Sequence, residues 1–216
     1  MLPQFFNKLL AYFRDYEDRA PDTQIIRDDY EGTRAFMPEG GVIIRNRTTG
    51  QISKFTEPWA FESLAKADEI FVFCVSNSYN NVLIREFTAE ACVEIANKSA
   101  FFTRLNLALP PAAKLIHGNV KYYRKSDDLG TLWALPDEIV TSKLDRFAYQ
   151  DEYRFAFSTT GAFDAGKTRQ RLIGRNSRPA PNPSEHHEQK LQLGSLRDIC
   201  KLHKCDQAIL EARRTV

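Results

Sequence analysis

The stretch Tyr149-Gln150-Asp151-Glu152-Tyr153-Arg154-Phe155-Ala156-Phe157 constrains the fold more than any other part of the chain. It reads as a loop that opens into a strand on a carboxylate. Strand side chains alternate, so Tyr153, Phe155 and Phe157 share one face and Glu152, Arg154 and Ala156 share the other. The aromatic face requires a core. The opposite face carries an acid, a base and a small residue that leaves room above it. A glutamate in that setting is either half of a structural ion pair with Arg154 or part of an active site, and the segment alone leaves both open.

With 216 residues, the chain is long enough for a substantial core in a single domain spanning 1–216. Its 43% hydrophobic and 27% charged content is ordinary for a globular protein, and a net charge of +2 makes any basic signal local. No apolar run approaches the roughly 18 residues of a membrane span, so no membrane partner is expected. Leu2, Phe5, Phe6, Leu9, Leu10 and Phe13 recur at helical spacing, and Gln4, Asn7 and Lys8 interrupt any leader-like core. The spacing predicts an amphipathic amino-terminal helix over 1–20. Cys74 and Cys92 sit in apolar runs as buried free thiols, which suggests a reducing, cytoplasmic setting. Cys200, His203 and Cys205, with His186 and His187 upstream, lack the spacing of a paired metal knuckle, so no metal site is expected.

Strands are predicted at Gly32–Met37, Gly41–Asn46, Ala91–Ile95 and Val120–Arg124. Ile70–Val75 is apolar on both faces and is expected to be a central, covered strand that runs into Ser76-Asn77-Ser78. Helices are predicted at Pro58–Ala67, Val82–Ala89 and from a Ser99 cap to Leu109, with a helix-like stretch near Ser195–His203. Without a β-α-β rhythm, the mixture favours an α+β class. The stretch 165–183 holds Lys167, Arg169, Arg171, Arg175 and Arg178 without an acid, then three prolines. It reads as an exposed basic loop, either a solvated linker or a surface for nucleic-acid phosphates.

Gly161-Ala162-Phe163-Asp164-Ala165-Gly166-Lys167-Thr168 fits the phosphate-loop pattern G-x-x-x-x-G-K-[ST]. Such a loop must feed a helix whose amino terminus faces the phosphates. Here Gly174 and the prolines leave about two turns, so nucleotide hydrolysis is the third reading of this chain.

A dispersed set carries more. A strand arginine (Arg34 or Arg45), Ser76-Asn77-Ser78 at the end of a buried strand, and Gln150-Asp151-Glu152 opening another occur in that order. This layout resembles the arginine, Ser-x-Ser, Glu/Gln-x-Glu pattern of the ADP-ribosyltransferase superfamily, especially its bacterial toxin-like branch, over about residues 30–160. The chain also looks like a group of uncharacterised bacterial domains that end in a Gln/Glu-x-Glu-Tyr-Arg strand. The first resemblance implies an α+β domain of mixed and antiparallel sheets flanked by helices, with NAD as substrate. Glu152 would stabilise the oxocarbenium character that develops at the ribose, Ser76 would orient it, and Gln150 would address the acceptor from the rim. Arg34 or Arg45, with Ser76 and Ser78, would hold the NAD, the arginine on its pyrophosphate. The acceptor would be a nucleic acid or a protein, the former met by Lys167, Arg169, Arg171 and Arg175. A toxin or phage-defence role, with an antitoxin-like or regulatory partner, is implied by the same analogy. The alternative is a non-enzymatic binding module in which Glu152 and Arg154 form a structural pair.

Overall fold

A computed structural model of the chain describes residues 4–9, 12, 28, 30–56, 59–128, 130–174 and 188–205. The chain folds as a mixed, strand-rich α+β protein. The strands are β1 (Gln4–Leu9), β2 (Thr33–Phe36), β3 (Val42–Arg45), β4 (Ile52–Phe55), β5 (Trp59–Leu64), β6 (Phe71–Ser76), β7 (Ala91–Ile95), β8 (Lys114–Asn119), β9 (Lys121–Tyr123), β10 (Ser142–Leu144), β11 (Glu152–Ser158), β12 (Arg169–Gly174), β13 (Glu188–Gln192) and β14 (Cys200–Lys204). The helices are α1 (Asn81–Glu86), α2 (Lys98–Ala108) and α3 (Pro136–Val140), and a 3-10 turn spans Asp145–Gln150.

The main sheet has the order β13-β1-β6-β11-β8, antiparallel throughout. A second antiparallel sheet, β12-β5-β2, and the pairs β3-β4, β7-β14 and β9-β10 complete the described residues, the last pair being parallel. The expected alternation of β11 holds. Phe155 and Phe157 pack with Phe101 and Leu105 of α2 and with Leu191, Leu193 and Ile199. On the opposite face, Ala156 and Val72 pack against Ile139 and Val140 of α3. Each large apolar side chain so buried contributes about 1.5–3 kcal/mol, so β11 is pinned from both sides.

Several expectations need correction. The amino terminus does not enter as a helix: Gln4–Leu9 is a strand between β13 and β6. A short apolar segment fits either period, and two waiting strands satisfy its backbone on both sides, which no local pattern reports. Of the rest of 1–20, only Tyr12 lies within the described residues. Pro58–Ala67 is not helical either; Trp59–Leu64 is the middle strand of the second sheet. Ser195–His203 yields a turn and then β14, which pairs with β7. The basic stretch 165–183 is not simply a loop, because Arg169–Gly174 is a full edge strand on β5. Arg175 and the prolines lie outside the described residues.

Arg171 explains part of that last difference. Its guanidinium donates to Glu62, a wholly buried carboxylate, at 2.8 Å. Removing one partner of a buried pair costs roughly 3–5 kcal/mol. Arg171 is 29% exposed, so Arg171→Ala is expected to cost less, about 1–3 kcal/mol once solvent screening is allowed for. Urea unfolding checks this, and Arg169→Ala on the exposed neighbour should leave the midpoint unchanged.

The Gly161–Thr168 segment also ends differently from a phosphate loop. It makes two successive turns, closed by Asp164 N–H to Gly161 O (3.0 Å) and Lys167 N–H to Asp164 O (3.1 Å). It then feeds β12 rather than a helix. No helix amino terminus faces it, so the geometry that concentrates amides on phosphate is missing.

Helix α2 matters for the cavity described below. Its cap is Asn97, not Ser99: the Asn97 side chain accepts from Ala100 N–H at 3.0 Å. Ser99 lies inside the first turn, where its carbonyl accepts from the Thr103 hydroxyl. Asn97→Ala is expected to cost about 1 kcal/mol, read as a shift in the urea midpoint, while Ser99→Ala costs little.

Candidate functional site

Residues just before β11 aim its first side chain. The 3-10 turn ends at Gln150, and Asp151 takes a left-handed conformation (φ 44°). Asp is one of the few non-glycine residues that tolerate this region. The Asn77 side-chain amide holds it by donating to the Asp151 carbonyl at 3.1 Å and carboxylate at 3.3 Å. Glu152 then enters β11 with its N–H donated to the Tyr122 hydroxyl at 2.8 Å and its carbonyl accepting from Val120 N–H at 2.9 Å. Register places Glu152 opposite Ser76 and Arg154 opposite Cys74.

Glu152 is only 9% exposed and sits in a buried cluster of charges. Lys143 Nζ donates to its Oε1 at 2.7 Å, and Arg154 Nη2 to its Oε2 at 2.9 Å. Arg154, 2% exposed, also donates to Glu31 Oε1 at 2.5 Å and to the Val140 carbonyl at 2.7 Å. Lys143 donates as well to the Gln150 side-chain oxygen at 2.7 Å. Two carboxylates and two cations thus interlock, with no chain neighbour but the Glu152–Arg154 pair.

Electrostatics follow from this geometry. Burial alone would push the Glu152 carboxyl up, but Arg154 and Lys143 outweigh it and hold it at about 2. Burial also opposes the charge on Lys143, yet Glu152 and Glu31 raise it above the ordinary lysine value. Asp28 behaves in the opposite sense: burial and the nearby Glu31 charge push its carboxyl up to about 6. Cys74, on the same face, is driven to about 12 by burial, so its thiol stays protonated.

Asp28 therefore gives a pH signature with a definite sign. Its folded value lies above the unfolded one, so its contribution is fully present below about pH 4 and is lost as pH rises through about 6. A rise of about two units corresponds to roughly 3 kcal/mol. Asp28→Asn is expected to flatten the stability profile between pH 4 and 6 and to raise the unfolding midpoint at pH 7.5. Urea melts across that range test both.

A cavity of about 1050 Å³ lies over this cluster. Glu152, Ser76, Gln150 and Ser78 all line it, as do Lys143, Arg154 and Glu31. The sequence-derived set is therefore brought together in part, with differences. Ser76 and Glu152 face each other in register, but the Ser76 hydroxyl lies 2.8 Å from the carbonyls of both Gln150 and Ser78, not on the carboxylate. Gln150 is not at the rim: it is 3% exposed and engaged by Lys143. Arg154 is a hub of the cluster rather than a supporting ion. Neither expected pyrophosphate arginine lines the cavity. Arg34 on β2 lies beside Glu138 (3.8 Å) and over the Tyr123 ring, and Arg45 is exposed at the end of β3. Lys167 and Arg169 are exposed, and neither lines the cavity.

Sequence reasoning missed Lys143 and Glu31. A lysine in a polar stretch of no clear period carries no sign of burial, and only the 3-10 turn brings it back onto β11. Tyr122 was seen as a strand residue without its hydroxyl contact. Lys98, also unmarked, lines the cavity and is exposed, with no ion-pair partner among the described residues. Among those residues, no cluster of three His, Cys, Asp or Glu is arranged to hold a metal, and His203 pairs with Glu94 instead (2.7 Å). No helix among them is long and apolar enough to cross a membrane.

Fold and site together define a strand-rich α+β protein whose cavity stands on a buried carboxylate–cation cluster. Comparison with protein-family models, with curated proteins and with solved structures returned no match.

Proposed function

We propose that the protein is an NAD-dependent ADP-ribosyltransferase-like enzyme whose active site is the cavity over Glu152. The observation that carries this reading is the convergence of Glu152, Ser76 and Gln150, from two distant segments, on one cavity large enough for a dinucleotide. In the reaction, the bond between the ribose C1′ and the nicotinamide nitrogen breaks, and its electron pair leaves with nicotinamide. A nucleophile of the acceptor, a nucleic acid or a protein, forms the new bond to C1′ and loses its proton. Positive charge develops at the ribose, and a fixed anion beside it lowers the barrier. Glu152 suits that role because it is ionised at any physiological pH and cannot rotate away. Ser76 fixes the turn that carries Gln150, and Gln150 with Lys143 fixes the carboxylate. Lys98 replaces Arg34 and Arg45 as the phosphate contact.

The test is NAD consumption and transfer of labelled ADP-ribose by the purified chain in cell extract, with Glu152→Gln as control. Loss of both signals in the variant supports the reading; labelling that persists refutes the assignment of Glu152. Lys98→Ala is expected to raise KM for NAD several-fold and leave kcat nearly unchanged, as a ground-state phosphate contact should.

One observation favours a second reading. Both oxygens of Glu152 already accept from cations, which is how a structural pair in a non-enzymatic nucleic-acid- or protein-binding module would look. Absence of any NAD-dependent change with every extract tried would select it.

A further inference from the structure

The cavity reaches both faces of the main sheet. Cys74, Ser76, Glu152 and Arg154 line it from one face, and Phe73, Val75, Tyr153 and Phe155 from the other. A cavity can do this only by passing round the edge of a strand. β11 has a neighbour on each side, so the edge belongs to β6. β1 pairs with β6 only at Phe71 and Val72, and stays with β13 over Gln4–Lys8. Among the described residues, Phe73–Ser76 therefore have no strand beside them on that side.

Register fixes which backbone groups are left. Asn77 donates its N–H to the Asp151 carbonyl at 2.8 Å, towards β11. Backbone groups of a strand alternate between its two edges, so Val75 and Phe73 also face β11. Cys74 and Ser76 then present N–H and C=O to the cavity. β7 repeats the situation. Cys205 N–H to Glu90 O and Ala96 N–H to Ile199 O (both 2.9 Å) set the residues that face β14. Ala91, Val93 and Ile95 point their backbone groups the other way, and all of β7 lines the same cavity. Backbone donors and acceptors in such a place call for partners.

We propose that this cavity accepts an extended segment of a partner protein, added as a strand along the open edge of β6, with apolar side chains at every second position. The alternation is set by the two walls. One row of side chains meets Phe73, Val75, Phe101 and Phe102; the other meets Ser76, Lys143 and Glu152. A strand in a layered structure occupies ~160 Å³ per residue, from ~3.3 Å of rise, ~4.8 Å between strands and ~10 Å between layers. The cavity of about 1050 Å³ therefore takes about six residues on that spacing. Main-chain hydrogen bonds supply affinity in this mode and alternate side chains supply selectivity. The inference goes beyond the NAD reading and stands without it.

The experiment uses the full chain and a fluorescein-labelled peptide of six alternating valines and threonines between terminal lysines. Saturable binding is expected below roughly 1 mM, and N-methylation of alternate peptide amides should weaken it at least about tenfold. Amide exchange at Cys74 and Ser76 should be fast in the free protein and slow on binding, while Val75 is slow in both. Slow exchange at Cys74 and Ser76 without peptide would show that this chain covers its own edge and would overturn the proposal. So would absent binding, or equal binding of the methylated peptide. NAD turnover is measured on the same samples without peptide, so either idea can fail alone.

Discussion

Arg154→Met is expected to destabilise the protein by about 3–5 kcal/mol, the usual cost of leaving buried charges without their partner. Against a typical total of about 5–15 kcal/mol, that is close to unfolding. The reason is specific: Arg154 neutralises Glu31 and Glu152 together and also satisfies the Val140 carbonyl. The loss should shrink as pH falls below about 5, because both carboxylates then take up protons. Adding Glu31→Gln to Arg154→Met should recover part of the stability at pH 7. Urea unfolding of the two variants at pH 5 and 7 measures this, and a pH-independent loss would mean that packing rather than charge is at stake.

Glu152→Gln is expected to lower NAD turnover by about 10²–10³-fold, the scale of removing one preorganised electrostatic contact. Glutamine is preferred to alanine because alanine would leave Lys143 and Arg154 facing each other without an anion, and lost activity could then mean a lost fold. Far-UV circular dichroism on the variant guards against that. The wild-type rate should show no acid limb between pH 5 and 7 from Glu152, since its carboxyl is held at about 2. Stability carries the opposite mark. With the folded value below the unfolded one, the Glu152 contribution is present above about pH 4 and is lost as pH falls towards 2. An acid limb near 4.5 in turnover, with no acid loss of stability, would show that Glu152 is not held by its cations.

Local alternation made β11 legible: its aromatic face lies in a core and its charged face on a cavity, as Glu152 to Phe157 predict. The strands at 33–36, 42–45, 71–76 and 91–95 followed from the same period of two. Elements that depend on a partner were not legible. Trp59–Leu64 has no clear alternation and is a strand because β2 and β12 flank it. Gln4–Leu9 carries a helical spacing and is a strand because β13 and β6 leave a place for it.

The site divides along the same line. The Glu152–Arg154 pair could be read from two residues one step apart on a face, and Ser76 from its place at the end of an apolar run. The chain could not show that Glu31 sits 123 positions from Arg154 and shares its guanidinium. Nor could it show that Lys143 turns inward, or that Arg34 and Arg45 are spent elsewhere. Periodicity is a property of neighbours along the backbone, and sequence alone records it. Whether a buried carboxylate is neutralised, and by which cation, depends on residues brought together by the sheet order, and only the tertiary structure decides that.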